Sequence, residues 1–174
     1  MAKIGFTKLG LKQNNEITLI DFNGQAIEVK QYIPVEEKLE MIAFIMERAH
    51  DQNNFSNPIK LEVFTALEIV ERYTNINFTE KQKENPTKIY DLLVGNSVLP
   101  LIIEAIPVAE YESLIKGLKD TVIAFYNYQT SVLGILDNVG KDYSTLDLDA
   151  SVIQQKLGDL ENIELLQDVM NKLG

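Results

Sequence analysis

Residues 16–34 read EITLIDFNGQAIEVKQYIP, and the turn inside this stretch decides the fold. Ile17, Leu19 and Phe22 precede Asn23-Gly24, and Ile27, Val29 and Tyr32 follow it. Asn-Gly accepts φ > 0 at both central positions of a type I′ turn, so two alternating runs joined by it predict a β-hairpin. After Pro34 the apolar residues recur at helical spacing for the rest of the chain. The expected fold is therefore mainly α: an N-terminal arm (1–14) and a small hairpin, then a helical bundle with one long helix. Hairpin and helical core together occupy 15–140, and a linker with a C-terminal helical tail fills 141–174.

The chain has 174 residues, 45% of them apolar, which is enough for one well-buried core. No apolar run approaches the roughly 18 residues of a membrane-spanning helix. The longest, SVLPLII over Ser97–Ile103, contains Pro100 and is soon followed by Glu104. Lys3 is not followed by an apolar block or a small-residue cleavage site, so no secretory signal is read at the N-terminus. The expectation is a soluble protein of a bacterial host cytoplasm, with incorporation into a virion as a later destination.

Cysteine and tryptophan are absent and His50 is the one histidine. Without cysteine there are no disulfides, thiolate nucleophiles or thiolate metal ligands. A Ser-His-Asp arrangement has a single possible base. His50 ends an amphipathic helix and precedes Asp51, Gln52, Asn53 and Asn54, where a solvated histidine at the negative end of the helix dipole is expected.

The formal net charge is −10 and unevenly spread. Residues 1–14 carry Lys3, Lys8 and Lys12 with no acid, whereas residues 61–174 carry 18 acids against 9 bases. Such a body repels phosphate, which argues against direct nucleic-acid binding.

The arm, MAKIGFTKLGLKQN, is broken by Gly5 and Gly10 yet offers Ile4, Phe6, Leu9 and Leu11. Those side chains have two outlets, the chain's own core or a neighbouring molecule. Pro34 and Glu36-Glu37 open a helix over about 35–49 with Leu39, Ile42, Ile45 and Met46 on its apolar side. Asn57 caps the next, with Pro58 at its first position and Leu61, Phe64, Leu67, Val70 and Tyr73 inward. Thr79 and Gln82 have capping-box spacing, and Asn85-Pro86 interrupts that turn. A short helix bearing Ile89, Tyr90, Leu92 and Leu93 stops at Gly95-Asn96, and Ser97 is expected to cap the segment that Pro107 closes.

The long helix is expected over about 108–139, with Tyr111, Leu114, Ile115, Leu118, Val122, Phe125, Leu133 and Leu136 as its stripe. At a ~1.5 Å rise per residue it would be about 45 Å long. Gly117 and Gly134 allow a neighbour to approach or the helix to bend. DYSTLDLD over 142–149 is a polar linker lacking the glycine and spacing of a calcium loop. The tail beyond it either folds back or serves as a helical hook for a partner.

Glu36/Glu37 and Glu110/Glu112 read as first-turn charge on helices, and neither phosphate-binding glycine motif is present. Tyr111, Tyr126 and Tyr128, set among Glu110, Glu112 and Asp120, read as core or protein interface. No enzyme is expected, nor any cofactor or metal.

KLGLK in the arm, NGQAIEVKQYIPVEEKLEMI, and NPIKLEVFTALEIVERYTNINFTEKQKENPTKIYDLL carry a resemblance over about residues 8–174. The chain resembles a largely uncharacterised family of small proteins encoded by tailed phages and prophages of Gram-positive and gut bacteria. Its architecture also looks like that of phage tail assembly chaperones. The resemblance implies a virion or morphogenesis protein whose partners are other phage structural or assembly proteins or further copies of itself. Protein-contact candidates are Ile4, Phe6, Leu9 and Leu11 in the arm and Leu160, Ile163, Leu166 and Val169 in the tail; all eight could equally sit in the protein's own core. The alternative is a phage-encoded inhibitor of a host nucleic-acid enzyme, anti-CRISPR-like, with Glu110, Glu112 and Asp120 imitating DNA charge.

Overall fold

Asn23 and Gly24 adopt φ of 53° and 77° in a computed structural model that describes residues 3–50 and 56–134. This is the turn whose twist matches its flanking strands. Strand β1 (Ile17–Phe22) pairs antiparallel with β2 (Gln25–Lys30), placing Ile20 opposite Ile27 and Phe22 opposite Gln25. Alternation then sorts the side chains. Ile20, Phe22, Ile27 and Val29 face the core, while Ile17 and Leu19, of opposite parity, are exposed. Two strands alone are marginal in water, and the hairpin gains a third neighbour at the exit of a helix. Asn75 accepts from Glu28 N through Oδ1 (3.1 Å), its Nδ2 donates to the Ala26 carbonyl, and Thr74 bridges Val29.

Six α-helices follow among the described residues: α1 (Val35–Ala49), α2 (Pro58–Tyr73), α3 (Glu80–Lys83), α4 (Pro86–Gly95), α5 (Val98–Ala105) and α6 (Val108–Gln129). The architecture is mainly α with a small hairpin. The chain divides into two compact units, Met1–Phe125 and Tyr126–Gly174.

The starts follow local chemistry. Asn57 Oδ1 accepts from Ile59 N and Lys60 N, with Pro58 in the first helical position. Thr79 and Gln82 form the reciprocal capping box, and Asn85 caps α4 ahead of Pro86. Ser97 is different. It sits at φ 59°, the left-handed region, and its side chain caps nothing. Only two residues separate α4 from α5, and reversing direction in that space requires a left-handed residue.

Helix α2 is central. Ala66 to Val70 are all buried, so it meets neighbours on every side: α1, α4 and α5 pack against it. On α1 the buried face is Met41, Ile42, Ile45, Met46 and Ala49. Leu39, expected inside, is 62% exposed. Lys38, three residues before Met41 and seven before Ile45, takes the centre of that face instead.

Helix α6 ends earlier than expected. The stripe predicts a helix to about 139, but Thr130 and Ser131 interrupt it, helical backbone resumes over 132–134, and 135–139 with Leu136 lie outside the described residues. Thr130 Oγ1 donates to the Tyr126 carbonyl and Ser131 Oγ to that of Tyr128, and such hydroxyls compete with the helix for its own acceptors. Gly117 makes the close approach its residue type permits: a Cβ there would lie 3.3 Å from Ile42 Cδ1 on α1.

A buried carboxylate ties these elements together. Glu110 lies four and eight residues before Leu114 and Leu118, on the buried face of α6. Its Oε1 accepts from Ile33 N (3.2 Å) and from the Tyr73 hydroxyl (2.8 Å), and its Oε2 from Lys38 Nζ (2.7 Å). Lys38 also stands 4.8 Å from the centre of the Tyr32 ring. One side chain thus joins the end of the hairpin, α1, α2 and α6. Burial, and then the carboxylate at its hydroxyl, push the Tyr73 phenol far above its ordinary pKa, so it remains a donor. A second ion-pair set joins α1 to α2: Arg72 bonds Glu68 at 2.9 Å and Glu40 at 3.2 Å.

Breaking one side of the buried pair leaves an uncompensated charge. Glu110→Gln should lower stability by about 3 kcal/mol, Tyr73→Phe by about 1 kcal/mol, and the double variant Glu110→Gln/Lys38→Met by less than Glu110→Gln alone. Urea unfolding of the full chain measures all three. At Gly117, alanine should be near neutral, because gained helix propensity offsets the tight contact, whereas isoleucine should cost about 1–3 kcal/mol by overpacking against Ile42. Thermal unfolding checks this, and equal stability of the two variants would contradict the packing described.

Candidate functional site

The arm buries nothing. Every residue from Lys3 to Glu16 is exposed, and its four apolar candidates stand well into solvent: Ile4 72%, Phe6 75%, Leu9 54% and Leu11 67%. Among the described residues, none of the four enters the core. Gly5 accepts from Lys8 N at 2.9 Å, closing a short 3-10 turn over Phe6–Leu9, and Gly10 leaves it in the left-handed region at φ 61°. Three residues make one turn of such a helix, so Phe6 and Leu9 project from the same side. Among the described residues, the arm is fastened only at its base. Asn14 Oδ1 accepts from Glu16 N, and the Glu16 carbonyl accepts from Gln31 N, both at 2.9 Å.

The tail candidates Leu160, Ile163, Leu166 and Val169, with the linker acids Asp142, Asp147 and Asp149, lie outside the described residues. Ile17 and Leu19 on the outer face of β1 add exposed apolar surface that period-2 alternation in 17–22 could have flagged.

Among the described residues, three apolar grooves lie between the hairpin and helices of the body. A slot of about 530 Å³ separates α2 from α6, with Leu61, Ala66 and Ile69 on one wall and Tyr111, Ile115 and Val122 on the other. Its charged lining is Glu62 and Lys119. A hollow of about 710 Å³ lies under the hairpin, α3 and α4, with Phe22, Leu92 and Leu93 inside and Lys81 and Lys88 at its edge. The third groove, about 420 Å³, runs along α1, α2 and α3. Its floor is Phe44, Phe64, Leu67 and Phe78, and its edge carries Glu68, Glu71, Glu80 and Glu84 with Arg48 and Lys83. Glu71 pairs with Lys83 at 2.8 Å, and Arg48 lies over the Phe44 ring at 5.2 Å. Burial raises the Glu68 pKa against the opposing hydrogen bond from Arg72.

The acids picked out on the long helix separate into two kinds. Glu110 is internal and fully used by its three donors. Glu112 is exposed, and Asp120 pairs with Lys116 at 2.6 Å on the surface. The available signal for Glu110 was its place on the Leu114–Leu118 line, where an acid needs an internal partner. Among the tyrosines, Tyr111 is half-buried on the slot, while Tyr126 and Tyr128 are exposed.

His50 is not the solvated side chain expected. It is half-buried, with its ring edge-on to Phe125 at 4.4 Å. A carbonyl can only accept, so Nδ1 donates to Met46 O, and Nε2 accepts from the Ser56 hydroxyl at 2.8 Å. With Asn57 N donating to Ala49 O at 3.0 Å, these bonds clasp the two ends of the segment 51–55. The histidine is occupied by the fold. Among the described residues, no three His, Asp or Glu side chains are grouped to hold a metal ion, and no helix is long and apolar enough to cross a membrane.

The arm offers apolar side chains flanked by lysines, and the body offers apolar grooves edged by charge. No family model matches the chain, and no curated protein or solved structure matches it either.

Proposed function

We propose that this chain is a non-enzymatic phage virion or morphogenesis protein, tail assembly chaperone-like or a head, neck or tail component, acting through protein-protein contacts. It works in the bacterial host cytoplasm, with the virion as a further destination. The carrying observation is the uncovered arm: four large apolar side chains, Ile4, Phe6, Leu9 and Leu11, stand exposed on a segment that, among the described residues, is tied down only at its base. Water penalises such a display unless a partner covers it at some stage. The family resemblance of the sequence supplies the phage setting, and partners are then other phage structural or assembly proteins or further copies of the chain.

Inhibition of a host nucleic-acid enzyme by charge imitation is the weaker reading. Glu110, one of the three acids it would use, is committed inside the fold, and Asp120 is paired with Lys116.

The test compares the full chain with its variant Ile4→Ser/Phe6→Ser/Leu9→Ser/Leu11→Ser. The native chain should self-associate in light scattering or co-purify with a tail, neck or capsid component from infected cells. The variant should lose that association while its unfolding temperature stays within about 2 °C, because exposed positions contribute little to stability. A native chain that is strictly monomeric and absent from both virions and assembly intermediates would refute the proposal.

A further inference from the structure

We infer that the arm of one copy docks in the aromatic groove along α1, α2 and α3 of a second copy. The inference rests on the contact role just proposed and names its partner and receptor.

Two properties of the arm select the groove. The first is the pair Phe6 and Leu9, projecting together from the 3-10 turn. They require an apolar recess, and all three grooves provide one. The second is charge: Lys3, Lys8 and Lys12 stand on the arm with no acid among residues 1–14. Here the grooves differ. The α2–α6 slot is lined by one acid and one base, and the hollow under the hairpin is edged by lysines. The aromatic groove carries four glutamates against Arg48 and Lys83. Glu68 and Glu71 are engaged by Arg72 and Lys83. Glu80 and Glu84 are exposed on and just after α3, with no ion pair among the described residues. They flank a floor of three phenylalanines and a leucine, which suits an aromatic anchor. Charge complementarity between arm and groove therefore singles out one receptor of the three.

The occupant is another molecule's arm because the arm of the same molecule lies exposed along its length, with none of its apolar side chains buried. Exchange among copies covers the arm of each molecule and the groove of the next in a single contact. Such a contact is heterologous, so it produces rings or open chains of subunits according to the rotation between neighbours.

The chain has no cysteine, so an introduced pair reports without interference. Two differently tagged full-length preparations, Thr7→Cys and Arg48→Cys, are mixed under mild oxidation. A disulfide-linked heterodimer is expected, and neither preparation alone should give it. Glu80→Lys/Glu84→Lys should weaken self-association about tenfold or more, since two attractive rim contacts become repulsive. Lys3→Glu/Lys8→Glu/Lys12→Glu on the mixing partner should restore it. Both charge sets are exposed, so unchanged circular dichroism shows that folding is kept. Three results would overturn the inference and leave the proposed function standing: a self-associating chain without the cross-link, a disulfide confined to single molecules of a Thr7→Cys/Arg48→Cys double variant, or a monomer that still binds a virion component through its arm. A monomer that binds no virion component would remove both.

Discussion

A carboxylate held away from water must be met by donors, and the placement of Glu110 makes this requirement organise the fold. Its two oxygens receive an amide from the hairpin's exit, a hydroxyl from α2 and an ammonium from α1. Neither Lys38 nor Glu110 would sit comfortably on the buried face of its helix alone; side-chain exposures of 14% and 8% leave each little solvent. Together they neutralise one another at a junction where apolar side chains would fix no angle between the elements. Apolar burial is non-directional. The hydrogen bonds at Glu110 are directional, so they specify how the hairpin and three helices meet.

Around that junction the hydrophobic core behaves conventionally. Val29, Ile33, Met41, Ile45, Val70, Tyr73 and Ile102 are sealed from solvent, and Gln31 reinforces the hairpin's attachment by donating to the Ala105 carbonyl at the end of α5. Against this closed interior the arm is an anomaly. Its apolar side chains are as large as those in the core, yet all are exposed. Stability of the single molecule gives no reason for that display; the contact proposed above would supply one. Interior and arm thus differ in kind: the body's apolar side chains pack on one another, and those of the arm stand in solvent.

Much of the fold was legible from short-range chemistry. Asn23-Gly24, Asn57-Pro58, Thr79 with Gln82, and Asn85-Pro86 each set a turn or a helix start through bonds reaching a few residues, and each acts as its residue types require. For the four arm candidates the sequence left core and contact equally open, because no helical or strand period fixes their side; the structure adds that they are exposed. Where local signals competed, reading failed. Ser97 has a capping side chain but occupies a left-handed turn because α5 begins so soon after α4. Thr130 and Ser131 fall between Phe125 and Leu133 of an apolar stripe and turn their hydroxyls onto the preceding carbonyls. Leu39 was expected inside and is exposed, because a helix face is set by the centre of its whole apolar arc, where Lys38 lies.

The sequence by itself determined the mainly α class with its single hairpin, most helix boundaries, the basic apolar arm and the acidic body, since these follow from residue type and from neighbours within a turn or two. Tertiary structure alone decided that Glu110 is an internal anchor, that His50 ties the end of α1 to Ser56, and that a phenylalanine floor from α1, α2 and the segment before α3 acquires an acidic edge. Those features join residues tens of positions apart. Their energies arise from desolvation and hydrogen-bond geometry, which exist only once distant segments have packed.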